Sequence, residues 1–159
     1  MTAHAFRRTP LPAPLLLAAV VIAACDSPDS PEFEPPDRAE RVEAAEALYS
    51  SALFDSLEWQ DDLARSRAGN EVFASKCRNC HGTTGDGGTE YASRRSLTVP
   101  SLVEPDWRYA ESIDSVRHRV FVGHELGMPT WGVAGISPRE IDAAAYYLLE
   151  RLRPEVIGN

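Results

Sequence analysis

The 159-residue chain has little sulfur, no basic face and no long apolar run. Each shortage excludes something. Its main apolar run, Leu15 to Ala24, is ten residues. As a helix it would span only about 15 Å, half the hydrocarbon core of a bilayer, too short to cross one. Charge is uneven: Cys25 to Asp62 holds twelve acidic residues against Arg38 and Arg41, while Leu63 to Asn159 holds twelve of each sign. Without a clustered basic surface, nucleic acid is not an expected partner. No segment alternates convincingly as a strand, and no internal repeat is present.

The beginning of the chain reads as an export signal. Arg7 and Arg8 supply a positive start, the apolar run follows, and small residues lead into Cys25. Ile22-Ala23-Ala24-Cys25 resembles the lipobox of bacterial lipoproteins. That resemblance implies a signal peptide over 1–24 and a lipid anchor on Cys25 at the periplasmic side of a bacterial membrane. Residues 25–38 read as an acidic, proline-rich linker with little to bury.

Residues 39–68 read as an amphipathic helical extension, one helix or two, with Val42, Ala45, Tyr49, Ala52, Ser56, Trp59 and Leu63 on one stripe. Either the stripe packs on the domain's own surface or it docks on a larger complex. Gly69 to His81 predicts a short helix, and His81 to Pro100 a long glycine-rich loop. Glu111 to Val122 predicts another helix. Ser137-Pro138-Arg139-Glu140 is a capping box with proline at the first helical position. It opens a last helix whose stripe carries Ile141, Ala145, Leu148 and Leu152, with Pro154 as its expected end.

The three cysteines are Cys25, Cys77 and Cys80. Cys77-Arg78-Asn79-Cys80-His81 is C-x-x-C-H, the attachment signature of c-type haem. One helical turn puts both sulfurs on one side, where they can add across two vinyl groups, and the next residue offers an imidazole to the iron. Structural zinc would need a fourth protein ligand, with only His118 and His124 left to supply it. A thioredoxin-like redox pair would need a βαβ setting that is missing. For the other axial position, Met128 is the one methionine besides Met1. It sits in Gly127-Met128-Pro129, a turn that suits a ligand; His124 is its rival. A thioether opposite histidine raises the reduction potential and fills the iron's coordination. His118 falls off its helix's apolar stripe and reads as solvated.

Together these elements resemble a class I cytochrome c domain over residues 69–159. The carriers are Gly69-x3-Phe73-x3-Cys77-x2-Cys80-His81-Gly82, then Val99-Pro100-Ser101-Leu102, then Gly127-Met128-Pro129-x-Trp131, then a last helix with Tyr147. The resemblance implies an all-α fold, with short helices around one covalent haem and an extra N-terminal helix in front. It implies that the Pro100 carbonyl orients His81, that Trp131 walls the pocket, and that Gly69 and Phe73 meet the last helix near Tyr147. Leu102 to Tyr109 also resembles haem c domains of terminal oxidase subunits, which suggests Trp107 and Tyr109 beside the haem propionates. Arg94 and Arg95 are further candidates for neutralising those propionates. The expected role is single-electron transfer rather than catalysis. The protein is either a tethered carrier between a quinol-oxidising complex and a terminal oxidase or reductase, or a fixed haem c subunit of a respiratory or photosynthetic complex. A sensor or enzyme with an open iron site is the third possibility.

Overall fold

The computed structural model describes residues 33–158. Residues 1–24, Cys25 and most of the linker lie outside them. Everything below concerns the unit that begins at Pro35.

Its helices begin where a short polar side chain can accept an unpaired backbone N–H. Asp37 accepts from Glu40 N–H and Glu40 returns a bond to Asp37 N–H, opening α1 (Arg38–Leu48). A single 3-10 turn, Ser51–Leu53, follows. Asp61 caps α2 (Asp62–Val72), which runs through a π turn (Phe73–Cys77) into α3 (Arg78–His81). Thr89 caps α4 (Glu90–Arg94), and Ser112 caps α5 (Ile113–Val122). Ser137 and Glu140 form the expected box at α6 (Pro138–Tyr147), which continues through a π turn (Leu148–Leu152) into α7 (Arg153–Ile157). Among the described residues the only β feature is an isolated bridge between His124 and Met128. The fold is all-α, as expected, and none of these helices is long and apolar enough to cross a membrane.

The frame is the crossing of α2 and α6. At Gly69 a Cβ would lie 2.0 Å from the Ala143 carbonyl oxygen and 2.5 Å from Tyr147 Cβ, so only glycine lets the backbones meet. One turn on, the Phe73 and Tyr147 rings pack at 5.8 Å. Two apolar clusters flank this crossing. The first joins Phe54, Val72, Phe121, Val122, Ile136 and Ile141, with Val42, Tyr49 and Trp131 against it. The second joins Phe73, Leu102, Val116, Leu148 and Leu152, with Cys77, Trp107 and Tyr109 against it.

Four expectations need correction. The helix leading to Cys77 begins at Asp62, not Gly69, because Gly69 serves a helix contact rather than a break. The stretch 39–68 is therefore α1, a turn and the start of α2. The glycine-rich loop contains α4. Pro154 does not end the last helix; it is the second residue of α7, just past the π turn. His118 is not merely solvated: its Nε2 lies 2.8 Å from Glu46 Oε1, and its ring meets Tyr49 edge-on at 4.5 Å. These contacts, with Ala45 fully buried, turn the stripe of α1 onto the domain itself.

A buried carboxylate ties the frame together. Asp142 is 1% exposed. It accepts from Trp59 Nε1 at 2.7 Å, Arg65 Nε at 2.9 Å and Arg117 Nε at 3.0 Å. Burial raises its pKa, but these bonds outweigh it and hold the carboxyl below its usual range.

Candidate haem site

Cys77 ends the π turn and Cys80 and His81 close α3, so the C-x-x-C-H motif occupies the last turn of one continuous helical run. Both thiols are free and partly buried. Burial, with Cys80 beside it, pushes the Cys77 thiol up to about 12; burial also raises Cys80, against Arg95. A reactive thiol redox pair needs the opposite shift. Burial lowers the His81 pKa and the Pro100 carbonyl opposes it, a shift that favours the neutral imidazole able to bind iron. His81 Nδ1 is buried without a completed hydrogen bond, and Pro100 is the acceptor facing the ring.

The following segment is strapped to this helix end. Gly87 N–H donates to the His81 carbonyl at 2.8 Å, and Thr89 Oγ1 donates to the Asn79 carbonyl at 2.7 Å. Gly87 has φ +75°, and a Cβ there would lie 2.8 Å from the Val99 carbonyl oxygen. Leu102 N–H then donates to Gly85 at 2.7 Å. These bonds bring Pro100 to His81.

Met128 lies in a tight hairpin: His124 N–H donates to the Met128 carbonyl at 2.9 Å and Gly127 N–H to His124 at 3.0 Å. His124 Nδ1 accepts from Leu126 N–H inside the turn, which occupies one of its two ring nitrogens. Met128, His124, Arg38, Arg41 and Val42 border a cavity of about 290 Å³. Trp107 packs against the same cluster as Cys77 and meets Tyr109 at 5.4 Å, whereas Trp131 packs against the other cluster. Arg94 and Arg95 are exposed and engaged locally, by Glu90 at 3.3 Å and by the Tyr91 ring at 3.7 Å.

Two partly buried thiols one turn apart with an imidazole beside them make a donor set that fits haem, while Met128 borders the cavity with Arg38, Arg41 and Val42. Residues 64–148 match the family described as cytochrome c oxidase, cbb3-type, subunit III, across more than half of the chain. The chain belongs to that family. It is therefore a c-type cytochrome, which implies covalently held haem c, and an electron-transfer protein rather than a catalyst. It is 32% identical over 93 residues to the cbb3-type cytochrome c oxidase subunit CcoP of Rhodobacter capsulatus, covering 55% of this chain and 29% of that protein. With CcoP of Rubrivivax gelatinosus it shares 27% over 81 residues, 51% of this chain and 24% of that one. The chain thus spans less than a third of these relatives' length. No solved structure matches it.

Sequence reasoning missed Asp142, although a carboxylate inside Ile141-Asp142-Ala143-Ala144-Ala145 signals a buried pair. It also missed the π turn that delivers Cys77, for which the sequence carries no signal.

Proposed function

We propose that this chain is a haem c subunit of a cbb3-type terminal oxidase or a closely similar respiratory complex, working at the periplasmic face of the membrane. The observation that carries this reading is the family match over 64–148, which contains both Cys77-x2-Cys80-His81 and the Met128 hairpin. Cys77 and Cys80 would hold the haem through thioethers. His81 and Met128 would ligate its iron, with the Pro100 carbonyl orienting the imidazole. Trp107 and Trp131 would wall the haem and exclude water. When bound, haem c supplies a one-electron couple whose potential is raised by a thioether ligand and by burial. The fold's part is to keep both ligands fixed in either redox state.

The free-shuttle reading keeps one support of its own, the acidic linker behind Cys25, which on this reading carries the lipid. It is the less favoured, because the relatives are oxidase subunits. Mild detergent extraction followed by sizing of the haem-stained band separates the two. Co-migration with a large oxidase is expected; a small haem band migrating alone would overturn the subunit reading. Met128→Ala should abolish the red-edge thioether band, lower the potential and admit carbon monoxide rapidly. An unchanged spectrum would show that another residue closes the iron.

A further inference from the structure

Among the described residues, two side-chain nitrogens are buried without a hydrogen-bond partner: His81 Nδ1 and Arg119 Nε. The first faces Pro100. The second has no hydrogen-bond partner, although leaving a buried donor unpaired is unfavourable, the more so when it is charged. The other partly or fully buried arginines have theirs. Arg65 and Arg117 are bound by Asp142, and Arg153 donates to the Leu102 and Glu104 carbonyls.

The placement of Arg119 tells what is missing. It lies near the end of α5, and its Nη1 donates to the Gly123 carbonyl at 2.9 Å, at the root of the Met128 hairpin. Its guanidinium carbon lies 5.4 Å from the Tyr109 ring centre, and Tyr109 leans on Trp107, which packs in the same cluster as Cys77. Arg119 therefore touches both Tyr109, in the cluster that also receives Cys77, and the root of the Met128 hairpin. Two more arginines lie on the same aromatic pair, Arg108 on Tyr109 and Arg153 on Trp107; the hairpin carries His124 and Glu125, the segment of the aromatic pair carries Glu104, Asp106 and Glu111, and His118 is held by Glu46. Cations gathered on aromatic faces with an N–H left over call for an anion, and haem brings two carboxylates.

We propose that Arg119 holds a haem propionate through Nε, between the Trp107–Tyr109 wall and the Met128 hairpin. This rests on the reading that haem is attached at Cys77 and Cys80. It assigns to Arg119 the part suggested for Arg94 and Arg95, both of which are exposed. Arg119 is a positioning residue: it fixes the haem's rotation within the pocket and keeps a positive charge beside it, which favours the reduced state.

The test uses the holoprotein. In the wild type, nuclear Overhauser contacts should link Arg119 Nε–H to a propionate methylene, and that N–H should exchange slowly with solvent. Arg119→Gln should lower the midpoint potential, Arg119→Lys should lower it less, and Arg94→Gln should leave it unchanged. A rapidly exchanging Nε–H with no propionate contact overturns the proposal. So does an Arg119→Gln holoprotein with the wild-type potential. A wild type without covalent haem would instead overturn the attachment reading, so the two failures are distinguishable.

Discussion

Asp142 on α6 and Arg119 on α5 belong to helices that pack together, yet the polar groups around them are in opposite conditions. Around Asp142 the chain satisfies itself: two guanidiniums and an indole converge on one carboxylate. Between α5 and the Met128 hairpin it does not: Arg119 Nε lacks a partner, whereas His81 Nδ1 at least faces the Pro100 carbonyl. The first region is a frame complete in protein atoms. The second is a site shaped for a group the chain must acquire. Buried polar groups in native proteins are nearly always paired, so the difference marks where the cofactor belongs.

The sharpest way to break that contrast is to remove attachment. Cys77→Ser combined with Cys80→Ser should abolish the covalent haem signal on a denaturing gel. Hydrogen exchange should then rise first over residues 82–103 and 123–131, with the α2–α6 crossing protected longest. Uniform loss of protection would show that the frame is not self-sufficient.

Next in size is the frame's own charge. Asp142→Ala leaves two guanidiniums without their carboxylate and should cost about 3–5 kcal/mol in urea denaturation. The pH dependence follows from the lowered pKa. Burial raises Asp142 and the bonds from Arg65, Arg117 and Trp59 lower it by more. An unfolded Asp titrates near ~3.9, so the stabilisation is complete well above that value and is lost as pH falls through the folded pKa. Asp142→Asn should flatten this acid-side slope. An unchanged slope would move the acid sensitivity elsewhere.

A smaller effect should come from the crossing itself. Gly69→Ala places a Cβ 2.0 Å from the Ala143 carbonyl oxygen, a backbone atom that cannot swing aside. The helices must separate, at about 1–3 kcal/mol by the usual cost of overpacking. The midpoint potential should stay near wild type, because the strain falls in the frame rather than at Met128.

Legibility in the sequence follows the same division. Local chemistry was readable: C-x-x-C-H, the Ser137–Glu140 box and the Gly127-Met128-Pro129 turn each declare themselves within five residues. The crossing at Gly69 became readable only through resemblance to a known domain. Pairings between distant positions were not readable. Trp59, Arg65 and Arg117 have nothing in their own neighbourhoods that points to residue 142. Arg119 was hidden for the same reason, because its environment is assembled from residue 109 and residue 123. Glycine misled: a helix contact was read as a boundary.

The smallest effect compares two caps, one on each side of the contrast. Ser137 opens α6 in the frame, and Thr89 opens α4 in the strap. Each accepts one backbone N–H, so removing either hydroxyl should cost about 1 kcal/mol. Thr89 has a second duty. Its Oγ1 also donates to the Asn79 carbonyl at 2.7 Å, inside the attachment motif, so it joins the strap to the helix that presents His81. Ser137→Ala should therefore lower the unfolding midpoint of the holoprotein and leave its visible spectrum alone. Thr89→Ala should lower stability by a similar amount and also weaken the red-edge thioether band, because a loosened strap no longer holds Pro100 against His81. Thr89→Ser keeps the hydroxyl and should restore both. If the two alanine variants behave alike in the spectrum, the Thr89 bond does not position His81, and the bond from Gly87 to the His81 carbonyl suffices to hold it.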